Sequence, residues 1–331
     1  MLKYIAKRLG YALLVLLGVS LIIYFLTRLM PIDFVKDKVT QVQTSGATVD
    51  EAMVQAMYES YGLEENASFL QILKGYLNWL GDLLRFDLGT SFKFGRPVTQ
   101  VIAQHMGTSF LIAFIAAVFE FMIAIPLGIT AATHQYSFRD YLVTILVMVG
   151  ISLPSFFFGN ILKNWLALEL GWFFPSGMRD ASMDYQGLDL LLDYFRHLFI
   201  PILTVVILSI GARMRMTRTN MLEVLNSDYI RTARAKGLKE KVVINKHAFR
   251  NTLIPLVTSM AGLLPSLFSG AIITEQVFNL DGIGNIALQA MNAGDIPFIM
   301  GYNMFLAVLS VLGVLLSDLM YGIVDPRVKL G

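Results

Sequence analysis

Six apolar segments, most of them near the length that crosses a bilayer, constrain the fold of this chain more than any other feature. A helix needs about 20 apolar residues to cross the ~30 Å hydrocarbon core. The segments cover residues 9–30, 108–132, 141–162, 198–212, 253–275 and 301–324. The fourth is the shortest, and we expect Arg213 and Arg215 to continue its helix into water. The pattern predicts an all-α membrane protein with six transmembrane helices.

Composition agrees with this class. Of 331 residues, 56% are hydrophobic and 15% charged, and the mean hydropathy is +0.62, whereas soluble domains are about half apolar and a quarter charged. The sequence has no cysteine, which excludes disulfides and thiolate chemistry, and its four histidines are scattered. We therefore predict no metal site, and we assign no catalytic residues.

The distribution of Lys and Arg predicts the orientation. Lys3, Lys7 and Arg8 precede the first segment, which is too long for a signal peptide and is interpreted as a retained span. Ten basic residues lie between Arg213 and Arg250, whereas residues 31–100 carry six basic and nine acidic side chains. Cytoplasmic loops are enriched in Lys and Arg, so both termini are expected in the cytoplasm. We divide the chain into a first helix with an extracytoplasmic segment (1–100) and a five-helix core (101–331) with a cytoplasmic loop (213–250).

The outer segment is expected to contain an amphipathic helix. Five leucines recur there at helical spacing, with polar residues off that line: Leu70, Leu73, Leu77, Leu80 and Leu84. We expect the leucine face to lie on the bilayer or on the neighbouring spans, with an external partner as the alternative. At the end of the third segment, Lys163 is expected to reach the outer interface on a straight helix.

The stretch "SDYIRTARAKGLKEKVVINKHAFRNTLIP", residues 227–255, predicts two short helices between the fourth and fifth spans. Ser227 or Asp228 is a suitable N-cap and Gly237 a suitable left-handed C′ residue, which leaves about two turns from Tyr229 to Lys236. A helix this short is unstable alone, so it must dock against something. Small residues would permit close approach of a partner: Ala233, Ala235 and Gly237.

The second helix is expected from about Lys239 to Asn251, with Pro255 near the start of span five. Its apolar side is expected to carry Leu238, Val242, Phe249 and Leu253. Two other interpretations of the stretch remain open. It could be an ordinary positive loop that binds anionic headgroups. A nucleic-acid-binding helix-turn-helix is less favoured, because no third helix completes such a domain.

The stretch resembles the cytoplasmic E-A-A-x3-G loop of permease subunits of bacterial ABC importers. Arg231, Thr232 and Ala233 stand at the E-A-A positions, of which only Ala233 matches, and Gly237 stands at the glycine. Other stretches resemble the dipeptide, oligopeptide and nickel branch of this binding-protein-dependent type I family. They are "GVSLIIYFLTRLMP", "DLGTSFKFGRPV", "IPLGITAA", "SLPSFFFG", "EQVFNLDGIGN", "DIPFIMG" and "YGIVDPRVK".

The resemblance implies a multi-pass permease of the bacterial cytoplasmic (inner) membrane that translocates peptides. Its implied partners are a homologous second permease, two cytoplasmic ATPase subunits that bind ATP and Mg, an external substrate-binding protein, the peptide and membrane lipid, with no nucleic acid. The chain itself lacks the G-x-x-x-x-G-K-[ST] phosphate loop. The first short helix would be the helix that couples to the ATPase, with contact residues Tyr229, Arg231, Thr232, Ala233, Arg234, Ala235, Lys236 and Gly237.

Four residues are candidates for the translocation pathway. Glu120 lies near the middle of the second segment, and an ionisable residue at that depth indicates function by default, with a helix contact as the alternative. Gly262, Pro265 and Gly270 interrupt span five, where a bend would suit a gate. Other solutes such as nickel, a proton-coupled transporter and an intramembrane enzyme using Glu120 remain alternatives. An enzyme would need a second catalytic group near Glu120.

Overall fold

The computed structural model describes residues 2–29, 55, 56, 59 and 67–324, and the regular structure in these ranges is helical apart from one isolated bridge between Thr90 and Pro97. The helices are α1 (Leu2–Arg28), α2 (Phe69–Leu84), α3 (Val98–Thr133), α4 (Phe138–Ser152), α5 (Ser155–Leu162), α6 (Gly187–Leu225), α7 (Asp228–Ala235), α8 (Glu240–Val242), α9 (Phe249–Ser259), α10 (Leu263–Ser269), α11 (Ile272–Val277), α12 (Ile283–Asn292) and α13 (Ile296–Val324). Two π-helical turns (Lys163–Glu169 and Val243–Ala248) and one 3₁₀ turn (Met260–Gly262) connect some of them. The charge asymmetry predicted for most of 31–66, and for Arg327 and Lys329, lies outside the described residues.

Five helical stretches among the described residues are long and apolar enough to cross a membrane. They are Lys7–Arg28, Val98–Thr133, Gly187–Leu225, Pro255–Val277 and Ile296–Met320. We call them spans one, two, four, five and six. A bent pair, Phe138–Ser152 with Ser155–Glu169, passes the same test when its halves are taken together, and we call it span three. The structure therefore has the predicted six spans when the bent pair counts as one.

The third span is bent sharply, contrary to the straight helix that we expected. Its halves meet at 102°, and Leu153 has the extended backbone (φ −87°, ψ 131°) that a following proline favours. Pro154 then begins the second half as its N-cap. Lys163 consequently lies against span five, where its Nζ donates a 3.0 Å hydrogen bond to the Val277 carbonyl.

Helices α3, α4 and α6 pack closely through glycines. A β-carbon placed on Gly128 of α3 would lie 2.6 Å from Thr217 Cβ, and one on Gly150 would lie 3.1 Å from the Ile207 carbonyl oxygen. A β-carbon on Gly211 of α6 would overlap Ile151. Small residues at helix crossings let backbones approach in the apolar environment of a membrane. These contacts join spans two, three and four.

The predicted amphipathic helix is present as α2, and its N-terminus forms a complete capping box between Ser68 and Gln71. The face that packs, however, is not the leucine face. Tyr76 and Trp79 are buried against Tyr24 of α1, and the Tyr24 hydroxyl donates to the Ile72 carbonyl at 3.0 Å. Four of the five leucines are exposed: Leu70, Leu73, Leu77 and Leu84. The two aromatic side chains lie on a second apolar face that the leucine count overlooked, and the fifth leucine, Leu80, packs against their cluster.

The α1–α2 pair is joined to the last span. Tyr24, Tyr76 and Trp79 belong to one buried cluster with Ile296 and Met300 of α13. The described helices of our first unit, α1 and α2, therefore pack against the last span of the five-helix core.

Candidate coupling site and polar contacts of the spans

Helix α7 forms as the sequence predicts. Ser227 has extended backbone (φ −76°, ψ 154°) before the helix, and the helix ends after Ala235. Gly237 has φ +75°, and its N–H donates to the Arg234 carbonyl at 2.9 Å. The left-handed C′ glycine is therefore confirmed, and it turns the chain out of the helix axis.

Two buried side chains attach α7 to the membrane domain. Ile230 is fully buried and Ala233 is 6% exposed, and both pack with Met221 of α6 and Ala132 of α3. The expectation that Ala233 faces a partner is therefore wrong: i and i+3 positions share a helix face, and this face is inward.

The other side of α7 is exposed and basic. Tyr229, Arg231, Thr232, Arg234, Ala235 and Lys236 are all exposed, as is Gly237. Arg231 lies 3.4 Å from Asp228, and Arg234 makes two hydrogen bonds to Glu240, the shorter at 2.7 Å. The Arg234 guanidinium lowers the pKa of the Glu240 carboxyl below its ordinary value. Surface pairs of this kind contribute little stability, so opening them to contact another protein would cost this chain little free energy.

The chain after Gly237 runs into span five without a break between Glu240 and Ser259. Helix α8 passes through the π turn Val243–Ala248 into α9, so the second helix does not end at Asn251, and Pro255 lies inside α9. The π turn adds a residue to one helical turn and shifts the face that packs. Val243 and Ala248 are fully buried, whereas Val242, which we expected on the apolar side, is exposed.

Glu120 is part of a cluster that joins three spans. Arg213 of α6 donates from Nε to Glu120 Oε1 at 3.0 Å and from Nη1 to Ser259 Oγ at 2.6 Å. Its guanidinium carbon also lies 4.5 Å from the centre of the Phe121 ring. Ser259 is the last residue of α9, directly before the 3₁₀ turn. Sequence reasoning missed Arg213 as the partner because the two residues are 93 positions apart.

The predicted interruptions of span five are real but fall at two levels. Gly262 ends the 3₁₀ turn next to the Arg213 cluster, and Pro265 lies in the first turn of α10. Gly270 ends α10 with φ +73° and ψ 155°, a region open essentially to glycine alone. The four pathway candidates therefore do not form one site. Glu120 pairs with Arg213, and Gly262 and Pro265 follow Ser259 of the same cluster within the next two turns. Gly270 lies further along span five, against Glu275.

Glu275 is a second polar residue whose contacts sequence reasoning missed. It is 1% exposed, and its carboxylate accepts hydrogen bonds from the Ser109 hydroxyl (2.6 Å) and from the Asn285 N–H (2.8 Å). The available signal was an acid at the edge of an apolar segment followed by "DGIGN", in which the glycines allow backbone to approach a carboxylate. Across the part of the chain that the structure describes, no group of three His, Cys, Asp or Glu side chains could hold a metal ion.

The fold is similar to that of a chain in a solved membrane transporter. Among solved structures, a chain of the MetNI methionine ABC transporter in inward-facing conformations has a TM-score of 0.53 and 18% sequence identity, with 69% of this chain and 97% of that chain covered. The likeness shows that the two chains share a membrane-protein fold.

Sequence comparisons identify the family. The profile described as "Binding-protein-dependent transport system inner membrane component" matches residues 124–330. The chain is 34% identical over 330 residues to the oligopeptide transport system permease protein AppB of Bacillus subtilis, covering 99% of this chain and all of that protein. It is 32% identical over 344 residues to the dipeptide transport system permease protein DppB of Alkalihalophilus pseudofirmus, covering 99% and 100%. The chain belongs to this family of inner-membrane permease subunits of binding-protein-dependent ABC importers.

Proposed function

We propose that this permease forms the membrane route of a peptide importer together with a homologous second permease, and that α7 is the helix through which cytoplasmic ATPase subunits drive it. An external binding protein delivers the peptide, and the ATPase subunits hold ATP and Mg. The names of the full-length relatives support peptides as the substrate.

The observation that carries the coupling role is the construction of α7. The helix is attached by Ile230 and Ala233, and it presents a basic face that makes only exposed contacts with its own chain. Through Gly237 and the continuous segment Glu240–Ser259 it leads directly into span five. A partner that pushes on this face would therefore move span five without first having to unfold anything.

The two-permease arrangement is supported by the exposure of the spans. Only 11% of the most apolar window of span one and 17% of that of span five is buried within this chain. A single copy thus leaves most of these helices to be covered by lipid or by a second subunit. We propose a homologous but distinct second subunit, as the family resemblance implies.

Glu120, Gly262, Pro265 and Gly270 remain proposals for the route. The Glu120–Arg213 pair supports a role as an ionic link between spans two and four near the break in span five. Removing such a link would alter how the spans move relative to each other. It does not require that the carboxylate itself carry a proton.

The test is to replace Gly237 by valine in the complete complex, reconstituted in vesicles with its binding protein. A β-branched residue at φ +75° costs about 1–2 kcal/mol or more and should misdirect α7. Uptake of radiolabelled tri-alanine per ATP hydrolysed should fall about tenfold, while the subunit stays inserted.

Gly171→Val is the matched control. Gly171 also has positive φ (+64°), and a β-carbon there would likewise meet no atom within 4 Å, but it lies far from α7 in the sequence and outside the proposed coupling segment. Normal coupling in Gly237→Val, or equal losses in both variants, would contradict the proposed role of α7.

A further inference from the structure

Glu275 holds the outer end of span five through hydrogen bonds, and it has no part in the coupling role proposed for α7. Its carboxylate accepts three hydrogen bonds from three different places in the chain. Oε1 accepts from the Ser109 hydroxyl at 2.6 Å and from the Ala271 N–H at 3.1 Å, and Oε2 accepts from the Asn285 N–H at 2.8 Å. The carboxylate thus joins α3, the turn after α10 and the first turn of α12.

Ser109 and Glu275 together cap α12 from outside that helix. Gly282 is the N-cap residue and has no side chain to accept the first N–H groups. Ser109 Oγ accepts the Ile283 N–H at 2.8 Å, and Glu275 accepts that of Asn285, the third residue of the helix. A negative charge at a helix N-terminus is also stabilised by the helix dipole.

Three glycines make room for this arrangement. A β-carbon on Gly270 would lie 2.7 Å from Glu275 Oε1, one on Gly284 would lie 2.9 Å from Oε2, and one on Gly282 would overlap the carboxylate. The backbone at these three glycines therefore lies in close contact with the Glu275 carboxylate. A buried carboxylate that is satisfied by fixed donors holds those donors strongly, because releasing any of them leaves a polar group buried without a partner.

We propose that Glu275 is a positioning residue for import: it anchors the outer end of span five to span two and to α12. The inference rests on the proposed function, in which span five is driven from its inner end through α7. Helix α12 itself packs through Ile283 and Ile286 against Val98 and Val101 of α3. With its outer end held in this way, span five turns about that end when it is pushed, instead of sliding along its axis.

Glu275→Gln tests the anchor. The glutamine oxygen can replace Oε1, but its amide would then face the Asn285 N–H, and two donors cannot pair. Asp281→Asn is the matched control, because it makes the same change of charge six residues away on a side chain that is 72% exposed and contacts His105. Ser109→Ala is the second variant, which removes one hydroxyl and keeps the Glu275 charge.

The rate of amide hydrogen exchange in α12, measured in the intact complex, reports directly whether Glu275 holds the start of that helix. We expect amides of 283–292 to exchange about tenfold faster or more in Glu275→Gln, to a smaller extent in Ser109→Ala, and at the wild-type rate in Asp281→Asn. Uptake of tri-alanine per ATP hydrolysed should fall in the same order. If Glu275→Gln cannot be purified, Ser109→Ala carries both measurements.

Two results would overturn the inference. One is wild-type exchange of α12 in the Glu275 and Ser109 variants, and the other is faster exchange with unchanged uptake per ATP, since the anchor would then be structural only. Failure of the proposed function looks different: Gly237→Val would couple normally, whereas the exchange of α12 would still respond to Glu275→Gln.

Discussion

Gly237 and Gly270 have nearly the same φ, +75° and +73°, yet their surroundings are opposite. A β-carbon on Gly237 would meet no atom within 4 Å, whereas one on Gly270 would lie 2.5 Å from the Gly284 amide nitrogen. The first glycine precedes the helical segment that leads into span five, and the second closes α10 within that span. One end of the span is open to a partner, and the other completes its polar contacts inside the chain.

The difference shows which side of this subunit satisfies its own buried polar groups and which side leaves charged groups exposed. Asp295, on the same side of the subunit and directly before span six, is fully buried and accepts hydrogen bonds from the Ser91 hydroxyl and the Lys93 N–H. Burial raises the pKa of the Asp295 carboxyl above its ordinary value. At the inner end, the Arg231 and Arg234 side chains are 72% and 44% exposed. Buried polar groups that are satisfied within the chain hold their side rigid without a partner. Exposed basic side chains, in contrast, are suited to bind a partner protein.

The comparison requires that the two ends face opposite sides of the membrane, and labelling tests this with an all-or-none effect. The chain has no cysteine, so single cysteines can replace Asp281 and Lys236, both exposed. A membrane-impermeant thiol reagent should label the cysteine at 281 in intact cells and the one at 236 only after permeabilisation. The reverse pattern would invert the orientation, and labelling of both in intact cells would remove the comparison.

Gly270→Ala should have the largest effect on stability. The substitution adds steric overlap with backbone to a conformation that is essentially restricted to glycine, and we expect a loss of about 3 kcal/mol or more. The measurement is the yield and thermal midpoint of the purified complex. Gly237→Ala is its control and should lose only about 1 kcal/mol or less, because there is room for the methyl group. Equal losses would mean that φ, and not the surroundings, decides the cost.

Glu120→Gln should destabilise the complex less than Gly270→Ala and more than Arg234→Gln. It leaves Arg213, whose side chain is only 16% exposed, without its carboxylate partner, at a cost of about 2–3 kcal/mol. Thermal unfolding of the complex measures the loss. Arg213→Gln in the same chain should recover part of it, and Ser259→Ala should cost less than Glu120→Gln. If stability is unchanged while uptake falls, the pair acts on the route and not on helix packing.

Arg234→Gln should have the smallest effect. The Arg234–Glu240 pair is exposed, and pairs of this type contribute at most about 1 kcal/mol. We expect an unchanged thermal midpoint but weaker co-purification with the ATPase subunits, as only the basic face has changed. Glu240→Gln is the control, since it breaks the same pair and leaves the positive charge. A drop in thermal midpoint for both would show that the inner end is more tightly built than the comparison supposes.

Features that depend on neighbouring residues were predictable from the sequence. The spans, helix α2, helix α7 and the left-handed Gly237 all follow from periodicity and glycine chemistry within a few positions. Ser227 stands at the predicted N-cap of α7, but its hydroxyl donates to the Val224 carbonyl and does not cap the helix. Features that depend on packing were not. The π turn between α8 and α9 has no local signal that sets it apart from an ordinary turn, and it moved the buried face from Val242 to Val243.

The polar clusters show the same limit. Glu120 could be located from its charge at membrane depth, but its partner Arg213 had been interpreted as the start of a cytoplasmic loop. Glu275 stood in a recognised stretch, yet its contacts with Ser109 and Asn285 exist only once α3 and α12 have packed together. A long-range hydrogen bond leaves no periodic trace, so one sequence cannot reveal it.

The bend in span three has a consequence for hydration. Helix α4 has 15 residues and is about 22 Å long, too short to cross the hydrocarbon core before the chain turns by 102°. Backbone that leaves a helix at membrane depth is tolerated only where protein or water satisfies it, not where acyl chains surround it. Ser152 and Pro154 at the bend are exposed on this chain. In the proposed assembly, this side of the subunit should therefore face the second permease or a wet interior, and not lipid.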